Sequence, residues 1–172
     1  MFNFLRTARG YLISLVQKYT GLPLTGKHIG DIFNYLPITE DLVSSGQPTA
    51  RQFAAIRAAG FTTVINLLPA GIENAIRDEG PRVRDLGMTY VHIPVLPFKP
   101  TEDNFKAFTR AMAAAEGEKI WVHCAANCRA SAFLYRYRTE VLGQSPDTAK
   151  WDVREIWEPF GVWKRFISWD KS

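Results

Sequence analysis

Cysteine is scarce in this sequence. The chain of 172 residues contains two cysteines, Cys124 and Cys128, which lie only four positions apart. Two cysteines so close together cannot build the disulfide framework of a small secreted domain. A reducing compartment is therefore expected, and we interpret the protein as cytoplasmic.

Long apolar runs are absent as well. The longest mostly apolar stretch near the start, Tyr11–Val16, has six residues and is followed by Gln17 and Lys18. A helix that crosses a membrane needs about 20 such residues. No A-x-A cleavage site follows the stretch, so a secretory leader is not predicted either.

Acidic residues are missing from the first 30 positions. Residues 1–30 contain Arg6, Arg9, Lys18 and Lys27, and thus carry the whole net charge of +4. Residues 31–172 contain 17 basic and 17 acidic residues and are electroneutral. A basic face for nucleic acid is therefore not indicated.

The same 30 residues form a basic, amphipathic N-terminal arm. Its apolar residues fall near one stripe of a helix: Phe2, Leu5, Leu12, Val16 and Tyr19. Such a stripe commonly packs on the body of a protein. Flanked by basic residues, it can also make a weak contact with an anionic membrane or a partner.

Residues 31–172 have the composition and length of a single globular domain. The whole chain is 47% hydrophobic and 22% charged, which is ordinary for a soluble protein. Predicted strands are Ile32–Ile38, Leu42–Ser45, Thr62–Leu67, Thr89–Val95 and Lys119–His123. Predicted helices are Ala50–Ala59, capped by Thr49, a helix capped by Thr101 that runs to Ala115, and the stretches Arg82–Leu86, Ala130–Leu142, Asp147–Trp157 and Val162–Trp169. Alternating strands and helices predict an α/β three-layer sandwich with a mostly parallel central sheet flanked by helices.

The stretch from Trp121 to Ser131 has the pattern of a catalytic loop. It leaves a buried strand, crosses small residues and enters a helix, so backbone N–H groups at the helix start can bind an anion. The positive electrostatic field of the same N–H groups favours the nucleophilic thiolate form of Cys124. Arg129 adds a planar fork that suits two phosphate oxygens. These residues indicate phosphoryl transfer to a cysteine.

The sequence His123-Cys124, followed by Arg129 and Ser131, resembles the signature loop of the cysteine-dependent protein phosphatases. It is most similar to their small bacterial dual-specificity-like members. Four further stretches share the resemblance, which extends over about residues 32–168: Ser45–Thr49, Thr63–Leu67, Tyr90–Val95 and Ile156–Pro159. The resemblance implies hydrolysis of phosphotyrosine or related phosphomonoesters, in a protein or a small molecule, through a cysteinyl-phosphate. It also implies that no metal or other cofactor is needed.

The resemblance assigns a role to each residue of the loop. Cys124 corresponds to the nucleophile and Arg129 to the clamp on the equatorial phosphate oxygens. Ser131 corresponds to the hydroxyl that assists departure of the thiolate, and His123 orients the loop. The backbone of Ala125, Ala126, Asn127 and Cys128 corresponds to the phosphate cradle.

One departure from the family pattern leaves alternatives open. Four residues separate Cys124 from Arg129, where the usual signature has five, and the usual loop glycine is missing. A six-residue loop that begins with cysteine also occurs in rhodanese-like sulfurtransferases, which would carry a persulfide on Cys124. A catalytically inactive phosphate-binding module is the third possibility.

The general acid must come from another segment. In the family this acid follows the strand that corresponds to Tyr90–Val95, where Asp103 is the predicted candidate. Asp103 and its neighbour Glu102 could instead only stabilise the start of a helix. Asp78 and Glu79 are the reserve candidates.

Cys128 can be interpreted in two ways. It can trap an oxidised Cys124 as a disulfide, or it can fill space beneath the loop as a small apolar side chain.

Overall fold

The computed structural model of the chain describes residues 12, 13, 16, 19, 20, 26–71 and 75–171. The strands are β1 (Leu36–Pro37), β2 (Leu42–Ser45), β3 (Thr63–Asn66), β4 (Thr89–His92) and β5 (Ile120–His123). The α-helices are α1 (Ala50–Ala58), α2 (Glu79–Asp85), α3 (Glu102–Ala114), α4 (Cys128–Glu140), α5 (Pro146–Ile156) and α6 (Val162–Phe166). Short 3₁₀-helices lie at Ile29–Asp31 and Trp169–Lys171.

The five strands form one sheet in the order β1-β2-β5-β3-β4. Only the edge strand β1 is antiparallel, and β2, β5, β3 and β4 run parallel. Every residue of β3 and β5 is buried, as expected for central strands that are covered on both faces. The predicted α/β sandwich with a mostly parallel sheet is confirmed.

Two apolar clusters cover the two faces of the sheet. Along β5, Ile120 and Val122 belong to one cluster and Trp121 to the other, which is the two-residue alternation of a strand. The first cluster includes Phe105, Phe108, Phe133 and Trp163 from α3, α4 and α6. The second includes Phe53, Ile56 and Val83 from α1 and α2. Helices, sheet and helices therefore form three layers.

The predicted strand Ile32–Ile38 is wrong over most of its length. Only Leu36–Pro37 is a strand, because Asn34 takes a left-handed conformation with φ of 49° and the chain turns there. Tyr35 N donates to Ile32 O at 3.0 Å and closes the turn. Asparagine tolerates this conformation better than most residues. The turn brings Asn34 to the loop that follows β5.

Helix starts follow their capping residues. Thr49 Oγ1 accepts from Gln52 N at 3.3 Å, and Thr101 Oγ1 accepts from Asn104 N at 3.1 Å, as both threonines predict. The helix predicted from Ala130 instead begins two residues earlier, at Cys128. This earlier start includes Cys128 in the first turn of α4.

The N-terminal arm is described only in part. Leu12, Val16 and Tyr19 are 65%, 39% and 68% exposed, whereas Phe2 and Leu5 lie outside the described residues. Among the described helices, none combines the length and the apolar character that a membrane crossing requires. Contact of the arm with a membrane or a partner stays a prediction.

Candidate active site

The candidate catalytic loop, Cys124–Arg129, leaves the carboxyl end of the central strand β5. His123 is paired in register with Ser45 of β2 and Asn66 of β3, so three strand ends meet beside the loop. The loop ends inside the first turn of α4, and the Cys124 residue is only 1% exposed. A thiol therefore lies at the end of an open parallel sheet, where α/β proteins commonly bind ligands.

Two carbonyl groups of the loop, those of Ala125 and Ala126, accept hydrogen bonds from residues outside it. Ala125 O accepts from Gln47 N at 3.1 Å, and Ala126 O accepts from Asn34 Nδ2 at 3.0 Å. In a planar trans peptide the C=O and the next N–H point in opposite directions. The N–H groups of Ala126 and Asn127 consequently point away from these two donors.

Asn127 takes the place of the missing loop glycine. Its φ is 69°, in the left-handed region that glycine usually occupies. Its Nδ2 donates to Asn34 O at 2.8 Å and to Ser44 Oγ at 3.0 Å, while the residue is fully buried. Asparagine thus provides the backbone shape and also ties the loop to β2 and to the turn at Asn34.

The start of α4 presents backbone N–H groups that have no partner within the helix. Ser131 N donates to Asn127 O at 2.9 Å, and the N–H groups of Cys128 and Arg129 precede this first bond of the helix. Helix-start N–H groups carry partial positive charge and bind anions. The role of this backbone as a phosphate cradle stays a prediction.

Arg129 is held near the same strand ends. The residue is 9% exposed, and one guanidinium nitrogen donates to Leu67 O, directly after β3, at 3.3 Å. A guanidinium has five N–H donors, so this bond orients the group and leaves others for an anion. The loop thus combines a thiol, backbone amides and a buried cation.

Cys128, within the loop, and Ser131, two residues after it, both lie in the first turn of α4. Ser131 Oγ donates to Cys128 O at 3.1 Å. Burial, together with the neighbouring Cys124, raises the pKa of Cys128 to about 12, so this second thiol stays protonated near neutral pH. Both cysteines are free thiols. The redox role of Cys128 stays a prediction.

The candidate acids differ in their surroundings. Glu102 accepts two hydrogen bonds from Arg136 at 2.7 and 2.8 Å, and this pairing lowers the pKa of Glu102. Asp103 is exposed in the same turn and, among the described residues, has no such pairing. Asp78 forms an exposed ion pair with Arg82 at 3.8 Å. Asp103 as the general acid stays a prediction.

Glu79 lies in a buried polar cluster that the sequence does not predict. Its Oε1 accepts from His123 Nε2 at 2.9 Å, Asn66 Nδ2 at 2.7 Å and Tyr90 OH at 3.1 Å, and its Oε2 accepts from Gln47 Nε2. Burial alone would raise the pKa of Glu79, but the charge and hydrogen bond of His123, aided by Gln47 and Tyr90, lower it. Burial and the carboxylate in turn raise the pKa of Tyr90.

Sequence reasoning considers Glu79 only as a reserve general acid. The four donors come from separate parts of the chain, and no local period or motif joins them. The one available signal was an acid placed after a polar loop, which is also common at exposed helix starts. Within the described parts of the chain, no group of three or more His, Cys, Asp or Glu side chains could hold a metal ion.

Comparison with known sequences identifies the family. The model for the phosphatase-like domain of beta-lactamase hydrolase-like proteins matches residues 34–150. A beta-lactamase hydrolase-like protein of Agrobacterium fabrum is 36% identical over 113 residues, which is 64% of this chain and 25% of that protein. One from Xylella fastidiosa is 36% identical over 96 residues, which is 54% of this chain and 22% of that protein. The chain thus spans about a quarter of the length of these curated relatives.

Comparison with solved structures shows the same fold. A DUF442 protein of Shewanella putrefaciens has a TM-score of 0.75 at 36% identity, with 81% of this chain and 92% of that chain covered. Tk-PTP has a TM-score of 0.65 at 18% identity, with 80% and 95% covered. P. aeruginosa TpbA, solved with phosphotyrosine, has a TM-score of 0.58 at 18% identity, with 71% and 72% covered. The chain therefore belongs to the phosphatase-like domain family of beta-lactamase hydrolase-like proteins and has the fold of the cysteine-dependent phosphatases.

Proposed function

We propose that this protein is a cysteine-dependent phosphatase that hydrolyses phosphotyrosine-like phosphomonoesters through a cysteinyl-phosphate. The observation that carries the proposal is the Cys124–Arg129 loop, with its thiol at the end of β5, its carbonyls held outward and its Arg129 at the start of α4. Membership of the phosphatase-like domain family supports it.

In the first step, the Cys124 thiolate attacks phosphorus and the bond from phosphorus to the ester oxygen breaks. Asp103, as the acid, gives its proton to the departing oxygen. The guanidinium of Arg129 and the loop amides stabilise the negative charge on the equatorial oxygens. The products are an alcohol or phenol and a phosphoryl group on sulfur.

In the second step, water attacks the phosphoryl group and the bond from sulfur to phosphorus breaks. The Asp103 carboxylate accepts a proton from the water, which restores the acid and releases inorganic phosphate. Ser131, in the first turn of α4, assists the departing thiolate of Cys124. The two steps together consume one water molecule and regenerate the enzyme.

A phosphotyrosine-like substrate is the class that we favour, either in a phosphorylated protein or in a small aryl ester. TpbA, which shares the fold, has been solved with phosphotyrosine.

The loop here has four residues between Cys124 and Arg129, so the cradle has one amide fewer than the usual signature.

Hydrolysis of para-nitrophenyl phosphate in the presence of EDTA tests the proposal. We expect turnover by the wild type, inhibition by vanadate, and loss of activity in Cys124→Ser with a thermal unfolding midpoint close to that of the wild type. Undiminished turnover by Cys124→Ser would contradict the proposal.

The alternatives have distinct outcomes in parallel assays. A sulfurtransferase would convert thiosulfate and cyanide to thiocyanate and carry a persulfide on Cys124. A phosphate-binding module would bind phosphopeptides in the wild type without any turnover. Either result, in the absence of phosphatase activity, would replace the proposed reaction.

A further inference from the structure

The carboxylate of Glu79 lies beneath the candidate catalytic loop and takes no part in the proposed steps. Its residue is 3% exposed, so it cannot reach a leaving group in solvent. Hydrogen bonds nevertheless connect it to the residue that precedes the loop and to two places within the loop. Each of these connections passes through no more than three residues.

The first connection passes through His123. The ring is fully buried, and its Nε2 donates to Glu79 Oε1 at 2.9 Å. An ionised carboxylate only accepts hydrogen bonds, so the proton must be on Nε2. His123 directly precedes Cys124, and the bond therefore fixes the side chain next to the nucleophile.

The second connection passes through Gln47. Its side-chain Nε2 donates to Glu79 Oε2, and its backbone N donates to Ala125 O at 3.1 Å. Gln47 thus connects the Glu79 carboxylate to the Ala125 carbonyl of the loop. Movement of Gln47 would release the peptide that directs the N–H of Ala126.

The third connection passes through Asn66 to the arginine. Asn66 Nδ2 donates to Glu79 Oε1 at 2.7 Å, and Asn66 Oδ1 accepts from Leu68 N at 2.7 Å. This shapes the turn whose Leu67 O accepts from Arg129 at 3.3 Å. The carboxylate therefore also supports the orientation of the phosphate clamp.

We propose that Glu79 is a positioning residue that holds Cys124, the Ala125 peptide and Arg129 in the geometry needed for phosphoryl transfer. The activity part of this proposal rests on the proposed function. The geometric part concerns the loop itself and can be measured without any phosphatase substrate.

The buried cluster requires an ionised carboxylate at position 79, because both of its oxygens must accept hydrogen bonds. Four donors converge on its two oxygens, from His123, Asn66, Tyr90 and Gln47. A glutamine of the same size replaces one oxygen by an NH₂ group, so at least one donor then faces another donor. Glu79→Gln consequently disturbs the cluster with little change in volume.

The experiment compares Glu79→Gln and Tyr90→Phe with a matched control, Glu118→Gln. Glu118 accepts hydrogen bonds from Thr62 and Thr63, at the opposite end of β3 from the loop. For each protein we would measure the thermal unfolding midpoint, kcat and KM for an aryl phosphate, and the site-resolved rate of iodoacetamide alkylation of Cys124.

We expect folded Glu79→Gln to lose about tenfold to a hundredfold in kcat with a much smaller change in KM, because misplaced groups mainly affect the transition state. Alkylation of Cys124 should change from the wild-type rate in the same variant. Tyr90→Phe, which removes one of the four donors, should change both quantities in the same direction but less. Glu118→Gln should match the wild type.

A folded Glu79→Gln variant with wild-type kcat and wild-type alkylation would overturn the proposal. If Glu79→Gln does not fold, Tyr90→Phe provides the test. A wild-type kcat together with a wild-type rate of Cys124 alkylation in Tyr90→Phe would then overturn the proposal. If the wild type hydrolyses no phosphate ester, the proposed function fails, but the alkylation rates still test the positioning of Cys124.

Discussion

At the scale of single residues, two asparagines give the candidate catalytic loop its shape. Asn34 and Asn127 both have positive φ values, 49° and 69°, and each donates to a backbone carbonyl of the other's segment. Few other side chains tolerate this backbone and also supply an amide donor. The loop therefore needs no glycine at position 127.

Substitutions at Asn127 should separate backbone strain from side-chain bonding. Asn127→Ala and Asn127→Gly lose the same hydrogen bonds, but only alanine is strained at this φ. We expect the alanine variant to be less stable by about 0.5–1 kcal/mol, since the greater freedom of unfolded glycine offsets part of the strain. Chemical denaturation measures this difference, and equal stabilities would contradict it.

A second residue-scale prediction concerns the general acid. Asp103→Asn should lower kcat for phenyl phosphate about 10²-fold, because the leaving phenolate then lacks a proton donor. The loss should be smaller for para-nitrophenyl phosphate, whose phenolate is a better leaving group. Steady-state kinetics on the two esters measures both effects.

Glu102→Gln is the control for Asp103→Asn, since it removes the neighbouring carboxylate that pairs with Arg136. It should keep nearly all of the activity. If the two variants lose activity equally, or if Asp103→Asn loses none, Asp103 is not the acid.

The candidates of the catalytic loop could be predicted because they lie close together in the sequence. Cys124, Arg129 and Ser131 lie within eight positions at a strand-to-helix junction, and their residue types together indicate the chemistry. Glu79 could not be predicted in the same way. Its role depends on donors from β3, β4, β5 and the turn after β2, which meet only in the folded chain.

At the scale of elements, the backbone at Gly46, directly after β2, packs tightly between Phe33 and the Ala125 carbonyl of the candidate catalytic loop. A Cβ at Gly46 would lie 2.7 Å from Phe33 Cδ1 and 2.9 Å from Ala125 O. Gly46 N also donates to Phe33 O at 2.7 Å. The absence of a side chain here lets Gln47 reach the loop.

Gly46→Ala should therefore disturb the loop and lower both stability and turnover. The expected loss of stability is about 1–3 kcal/mol, the usual range for overpacking. Gly30→Ala is the matched control, because nothing lies within 4 Å of a Cβ there. Thermal unfolding of the two variants checks this, and equal midpoints would refute the packing argument.

Most elements could be predicted from their periodicity and caps, but not all of their bounds. The helix over Glu102–Ala114 follows its Thr101 cap, and the buried strands β3 and β5 match nearly continuous apolar runs. The strand expected at Ile32–Ile38 failed because a single left-handed Asn34 interrupts an apolar stretch. The pattern of apolar residues does not indicate whether one residue within it has a left-handed backbone conformation.

At the scale of the whole molecule, sheet order assembles the site. The order β2-β5-β3 brings Ser45, His123 and Asn66 side by side at the carboxyl ends of three parallel strands. Alternating strands and helices predict a parallel sheet, but they do not specify which strand is central. This order also brings together the donors to Glu79, which come from β3, β4, β5 and the turn after β2. The same buried cluster therefore supports both the candidate site and the stability of the fold.

This cluster predicts how stability depends on pH. The pKa of Glu79 in the folded protein lies below its ordinary value of 4.5. The stabilisation that its charge supplies is therefore complete above that value and is lost as pH falls through the folded pKa. In Glu79→Gln this part of the dependence is absent.

Urea unfolding at a series of pH values measures the difference. Near neutral pH, Glu79→Gln should be less stable than the wild type by about 2 kcal/mol, because buried donors lose their acceptor. The gap should narrow as pH falls below about 4.5. A gap that stays constant down to the most acidic pH would contradict the assignment of Glu79 as a buried carboxylate.

The most direct test of the central claim is to identify the residue that carries the phosphoryl group. The wild type would be mixed with an aryl phosphate, quenched in acid during turnover and analysed by peptide mass spectrometry. We predict one phosphoryl group on Cys124 and none on Cys128, with no phosphorylated peptide from Cys124→Ser. Turnover without any phosphoryl group on Cys124, or with the group on another residue, would contradict the account.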